Sequence, residues 1–193
     1  FDMIGRPPRS TEGGSSAASD VYKRQAEGLV PKKVVVSGLL GGHSGLDIAK
    51  AKGNAIKVLA RALAAAGAFE GKLKIACFEG GSKRNAIPRE AVACVWIKKD
   101  CGDKLEAAIG DFNKEIAKEL GLSDPGVKIV VENCDCTEAP IDTGETLLRL
   151  LLALPPGTLV MNKDILALVD NPQNFPIVTI YATQDKIMCN SRS

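Results

Sequence analysis

Histidine is almost missing from this sequence: His43 is the single one in 193 residues. A catalytic zinc commonly takes two or three imidazole ligands, so a histidine-built metal centre within this polypeptide is excluded. Any metalloenzyme it served would draw most of its active site from elsewhere. Long apolar runs are missing too. The longest, Leu147 to Leu154, is interrupted by Arg149 and falls short of membrane-spanning length. Charge of one sign is equally scarce, since the net charge is +2 and Lys and Arg are spread without a basic run, which argues against a nucleic-acid partner. The six cysteines, Cys77, Cys94, Cys101, Cys134, Cys136 and Cys189, do not form the dense pattern of a small secreted domain. They read as reduced, largely buried thiols of a cytosolic protein, three of them within strand-like apolar runs. Cys134-Asp135-Cys136 has no second pair to complete a metal or redox motif, so its spacing reads as coincidence.

What is present falls into two unlike parts. Residues 1–25 combine Arg-Pro-Pro-Arg-Ser-Thr, a Gly/Ser/Ala stretch and Asp-Val-Tyr-Lys-Arg-Gln with no helical or strand periodicity, the composition of a disordered tail. The stretch lacks the apolar segment of a signal peptide, and its part from Pro7 to Gln25 resembles translated sequencing-adapter read-through. The expectation is a non-native tail followed by a native part, residues 26–193. That part has the 45% hydrophobic and 25% charged composition of an ordinary globular protein and is long enough for one domain with a proper core. The last residues, Asn190-Ser191-Arg192-Ser193, stop inside a strand-like pattern. The native part is therefore expected to be a fragment.

Within it, strand and helix patterns alternate. Lys33 to Leu39 is short, β-branched and bounded by glycine, as a buried strand is. Ile56, Leu59, Ala60 and Leu63 make one apolar stripe on an Ala-rich helix ending near Gly67. Lys72 to Glu79 and Ala91 to Lys98 read as strands, Leu105, Ile109, Phe112, Ile116 and Leu120 as a second amphipathic helix stopped by Gly121, and Val127 to Glu132 as a further strand. The order β-α-β-β-α-β predicts an α+β, ferredoxin-like antiparallel sheet with both helices on one face. A third helix, Thr143 to Leu154, and a C-terminal hairpin, Ile177 to Tyr181 with Lys186 to Asn190 around a turn at Ala182-Thr183-Gln184-Asp185, complete the expected fold.

Two glycine turns carry the candidate chemistry. Gly41-Gly42-His43-Ser44-Gly45 leaves a strand towards a helix, yet it matches neither G-x-G-x-x-G nor a Gly-Lys-Ser/Thr phosphate loop. Ser44 has no second histidine to act as its base. His43 is either a satisfied turn residue or an accessible imidazole able to donate, accept or exchange a proton near neutral pH. The second turn, Gly80-Gly81-Ser82-Lys83-Arg84-Asn85-Ala86-Ile87-Pro88, places a small amide and two basic residues before an Ile-Pro that fixes extended backbone. It reads either as a polar hairpin loop or as a loop that presents Asn85.

Val36-Ser37-Gly38-Leu39-Leu40-Gly41-Gly42-His43-Ser44-Gly45-Leu46-Asp47-Ile48, Gly53-Asn54-Ala55 and Gly80 to Ala91 together resemble the lid, or dimerisation, domain of the aminoacylhistidine (Xaa-His) dipeptidases. These are members of the two-zinc aminoacylase, carboxypeptidase and dipeptidase family. The resemblance runs, more weakly, from Val30 to Ser193. It implies a homodimer through the lid and two zinc ions held in a catalytic domain whose motifs do not stand in this sequence. It further implies that His43 bonds the scissile carbonyl or its developing oxyanion, that Asn85 helps hold the substrate, and that Arg192 grips the dipeptide's terminal carboxylate. A carboxylate is best held bidentately by a guanidinium, and an oxyanion by an oriented N–H donor. The resemblance thus implies the lid of a cytosolic dipeptidase acting on dipeptides with C-terminal His, with no metal ligand in this chain. The rival reading is a free-standing ferredoxin-like interaction or small-ligand-binding module without catalysis.

Overall fold

A computed structural model describes residues 28–165, 168–182 and 184–191. The expected tail, residues 1–25, and Arg192 lie outside the described residues. Nine strands and three α-helices are present among the described residues: β1 (Leu29–Ser37), β2 (Gly42–His43), α1 (Ala55–Ala65), β3 (Leu73–Gly80), β4 (Ala86–Ile87), β5 (Ala91–Lys98), α2 (Gly102–Leu120), β6 (Lys128–Asn133), α3 (Gly144–Ala153), β7 (Gly157–Met161), β8 (Val169–Tyr181) and β9 (Gln184–Ser191). The main sheet runs β6-β1-β5-β3-β8-β7, with β9 also paired to β8. Every pairing in it is antiparallel.

Its first four strands and the helices α1 and α2 form the ferredoxin-like unit that the alternation predicts. Val34 and Val36 of β1 alternate with the half-buried Val35, so one face of the strand enters the core. The stripe Leu105, Ile109, Phe112, Ile116 and Leu120 is buried along the whole of α2. On α1 the buried set includes Ile56, Leu59 and Leu63, each at most 2% exposed, and these residues join those strands in one continuous cluster. Burying a side chain of this size stabilises by about 1.5–3 kcal/mol, so this interlayer core holds the helices on the sheet. α3 adds Leu147, Leu148 and Leu151 to the same cluster. The Lys57 ammonium of α1 donates to the carbonyls of Leu151, Leu152 and Leu154 at the end of α3, which satisfies carbonyls that a helix terminus leaves without partners.

The sheet is wider than the sequence suggests. β7 and most of β8 are additional, and β8 begins at Val169. Pro172 and Pro176 conceal β8 in the sequence, because proline cannot donate to a ladder and is confined to edges and irregularities. Pro176 lies in the register break between Asn174 and Ile177. The hairpin turn is also tighter than expected: pairing continues to Tyr181 opposite Gln184, so Gln184 and Asp185 belong to β9. The cysteines are all free thiols, but only Cys77 is buried; Cys94, Cys101, Cys134 and Cys136 are half-buried and Cys189 is exposed. Cys94 lies on a partly open face of the sheet, which strand patterning alone does not distinguish from the core.

Candidate functional site

The turn bearing His43 starts from a tight backbone crossing. Gly38 has φ +79°, and a Cβ there would lie 1.8 Å from the Gly126 carbonyl oxygen, so glycine is required on both conformational and steric grounds. Asp124, fully buried, then fixes the chain on either side of the turn. One carboxylate oxygen accepts from the N–H of Leu40 at 2.7 Å and the other from the N–H of Gly53, also at 2.7 Å. Inside the turn the Asp47 carboxylate accepts from the His43 N–H at 2.8 Å. The Lys50 ammonium, bonded to Asp47 at 2.7 Å, and that backbone N–H hold the Asp47 carboxyl below its ordinary range.

His43 is exposed. Its Nδ1 accepts from the Gly45 N–H at 3.1 Å, which requires a lone pair on Nδ1 and leaves the neutral ring's proton on Nε2. The side chain is thereby set up as an N–H donor through Nε2.

The two glycine turns predicted from the sequence meet. β2 pairs with β4, His43 standing opposite Ala86, and the Ser44 N–H donates to the Asn85 carbonyl at 2.9 Å. Two further asparagines clamp the backbone on both sides of Asn85. Asn174 of β8 donates from Nδ2 to the Ala86 carbonyl at 2.8 Å, and Asn190 of β9 donates to the Arg84 carbonyl at 2.6 Å. Asn85 itself is exposed and its amide has no partner among the described residues. His43, Ser44, Arg84, Asn85, Asn174 and Ser191 line a shared cavity of about 300 Å³. The strand β9 ends there, at Ser191, immediately before Arg192.

A buried asparagine ties this cluster to the helix layer. Asn54 caps α1, its Oδ1 accepting from the N–H groups of Ile56 and Lys57 at 3.0 and 3.3 Å. Its Nδ2 donates to the Phe175 carbonyl at 3.1 Å. No cap was named from the sequence, although an Asn immediately before an apolar stripe is a signal for one; the bond of Asn54 to β8 was not legible. Nor were Asp124, Asn174 and Asn190, whose partners are far along the chain. Asp124-Pro125-Gly126 reads only as a turn.

No group of three or more His, Cys, Asp or Glu side chains among the described residues is arranged to hold a metal ion. His43 has one ring nitrogen engaged within its own turn. The described residues therefore do not fit a zinc centre. No helix among them is long and apolar enough to cross a membrane.

Residues 35–123 match the family described as the peptidase dimerisation domain. Those residues of the chain carry a peptidase dimerisation domain. Cytosol non-specific dipeptidase of Escherichia coli (strain K12) is 34% identical to it over 164 residues, covering 83% of this chain and 33% of that protein. The structure of aminoacylhistidine dipeptidase from Vibrio alginolyticus matches with a TM-score of 0.78 and 30% identity, over 86% of this chain and 34% of that one. The chain thus spans about a third of the length of each relative. The match favours the lid reading over a free-standing module, and the dimerisation domain contains both glycine turns, since His43 and Asn85 fall within residues 35–123.

Proposed function

We propose that this chain is the lid of a cytosolic zinc dipeptidase that hydrolyses small unblocked dipeptides, including those with histidine at the C-terminal position. The observation that carries the reading is the joining of the His43 and Asn85 turns by the Ser44–Asn85 backbone bond at one cavity. Two zinc ions, implied by the family, belong to residues outside this sequence.

The roles of this chain's residues in this reading are those the resemblance implies, and the geometry of the two glycine turns supports those of His43 and Asn85. His43, its ring proton held on Nε2 by the Gly45 bond, donates to the scissile carbonyl oxygen. Charge grows on that oxygen in the transition state, so an aimed donor acts there more than in the ground state. Asn85, with a free carboxamide at the rim, hydrogen-bonds the dipeptide backbone. Arg192, one residue past the strand that ends at the cavity, binds the C-terminal carboxylate bidentately. Backbone and carboxylate contacts of this kind are independent of side-chain identity and suit a broad dipeptide substrate class.

The lid also forms a homodimer in this reading. Its support is the domain's family and the strands that end the sheet path, β6 and β7, which carry no further partner among the described residues. Leu159, Val160 and Met161 of β7 are 44–46% exposed, and an unpaired apolar edge is a ready template for strand pairing.

Zinc titration and hydrolysis of Gly-His test the proposal on two samples, the chain alone and the complete reading frame. The complete protein should bind zinc and turn over; the chain alone should do neither. Stoichiometric zinc binding with turnover by the chain alone, or a zinc-loaded complete protein inert towards every dipeptide offered, would sink it.

A further inference from the structure

The face of the sheet turned away from the helices holds three thiols. On β5, Ala93, Val95 and Ile97 enter the helix-side core, and strand alternation sends Cys94 and Trp96 to the other face. On β3 a register shift between Ile75 and Cys77 resets the alternation. Phe78 then points into the core, and Cys77 faces outward directly opposite Cys94. Cys136 reaches the same place from the segment after β6. That segment is laid over the outer face by two bonds, from Trp96 Nε1 to the Glu138 carbonyl at 3.0 Å and from the Ile141 N–H to the Ile75 carbonyl at 2.7 Å. The three thiols are neighbours, Cys77 acting on Cys94 and Cys94 on Cys136.

We propose that Cys77 and Cys94 form an oxidation site at which a hydroperoxide generates a reversible cross-strand disulfide, with Cys136 as the neighbour that covers it. Directly opposed residues of an antiparallel ladder have Cα atoms about 4.5–5.5 Å apart, within the roughly 4.4–6.8 Å that a disulfide spans. In the first step the Cys77 thiolate attacks the outer oxygen of the hydroperoxide. The O–O bond breaks, the departing alkoxide or hydroxide takes up a proton, and Cys77 becomes a sulfenic acid. The Cys94 sulfur then attacks the Cys77 sulfur, the S–O bond breaks, and the hydroxyl leaves as water with the Cys94 proton. The two thiols lose two electrons and the hydroperoxide gains them.

The site assigns the two roles by environment. A hydrogen bond from the Cys94 thiol, and a second from the Cys94 N–H, hold Cys77 below the ordinary thiol range, which favours the thiolate that attacks first. Its interaction with Cys77 pushes Cys94 up. Cys94 and Cys136 are half-buried, which leaves a small hydroperoxide a route to the pair. Cys189 is exposed, partial burial of its sulfur raises it, and no other thiol acts on it among the described residues, which makes it the internal control.

The test is peptide mapping of the native chain after graded hydrogen peroxide, with free thiols alkylated before unfolding. The expected result is a Cys77–Cys94 cross-linked peptide pair, lighter by two hydrogens, reversed by dithiothreitol and formed at lower peroxide than oxidation of Cys189. Cys94→Ala should abolish the cross-link and leave a Cys77 sulfenic acid that dimedone traps, and Cys136→Ala should retain the cross-link. Should a variant fail to fold, the map of the unsubstituted chain still decides. Recovery of Cys77 and Cys94 as free thiols at peroxide levels that oxidise Cys189 would overturn the proposal, as would a Cys94–Cys136 cross-link in its place.

Discussion

The backbone N–H of Ser44 donates to the carbonyl oxygen of Asn85 at 2.9 Å, and with the β2–β4 pairing this bond joins two turns that α1 and β3 separate in the sequence. It sets the spacing between a ring that donates through Nε2 and a carboxamide at the same rim. The site therefore depends on backbone geometry as much as on the side chains that would meet a substrate.

If the proposed function holds, His43→Ala in the complete protein should lower kcat by about 10²–10³ with little change in KM, the usual effect of removing one donor to a developing oxyanion. Arg192→Ala should instead raise KM strongly, because a free carboxylate is present in ground and transition states alike. Steady-state kinetics on Gly-His separates the two patterns. Near-normal turnover by His43→Ala at full zinc content would reduce His43 to a turn residue.

Asp124→Ala should destabilise the chain by about 3 kcal/mol, since it leaves the Leu40 and Gly53 N–H groups without their acceptor in a buried setting. Asp124→Asn keeps one carbonyl acceptor and should lose about half as much. Chemical denaturation measures both. A loss below about 1 kcal/mol for the alanine variant would mean that water replaces the carboxylate at little cost.

Asn54 performs two tasks that substitution can split. Asn54→Ala loses the helix cap, worth about 1 kcal/mol, and the bond to the Phe175 carbonyl. Asn54→Asp preserves the cap but sets a carboxylate oxygen against that carbonyl in a buried place, so it should be no more stable than the alanine variant. An aspartate variant as stable as the native chain would show that the link to β8 carries no energy.

Acid should weaken the contact between α1 and α2. The Arg61 guanidinium grips Glu119 bidentately at 2.8 and 2.6 Å, and this bond holds the Glu119 carboxyl below the ordinary glutamate value of 4.5. A carboxyl that titrates lower in the folded than in the unfolded chain gives its full stabilisation above the unfolded value and loses it as pH falls through the folded one. Both groups are substantially exposed, so the contribution is at most about 1 kcal/mol. Unfolding free energies of the native chain and Glu119→Gln should differ at neutral pH and converge in acid; a difference that persists in acid would assign the effect to packing.

The ferredoxin-like unit was legible because periodicity reports burial on one face. The stripes Ile56–Leu59–Leu63 and Leu105 to Leu120 each needed an apolar layer to pack against, and the structure buries them in the core shared with the sheet. The two glycine turns were legible as turns and, through their resemblance to a lid, as a candidate site. What escaped is whatever depends on long-range pairing. Pro172 and Pro176 hid β8; Asn174 and Asn190 looked like loop residues because their carbonyl partners lie across the fold. Cys136 looked like half of a coincidental pair, while thiols from β5 and β3, Cys94 and Cys77, also act on it.

The clamping of the Arg84 and Ala86 carbonyls by Asn190 and Asn174 has a bearing on protein engineering. A loop whose flanks are fastened to a distant hairpin cannot be transplanted by itself. Anyone grafting the Asn85 loop into another scaffold would have to carry β8 and β9 with it, and Asn54 as well, since that residue anchors β8 to α1. The smallest portable unit is a discontinuous set of segments, and exchanging substrate preference between relatives calls for swapping that whole set at once.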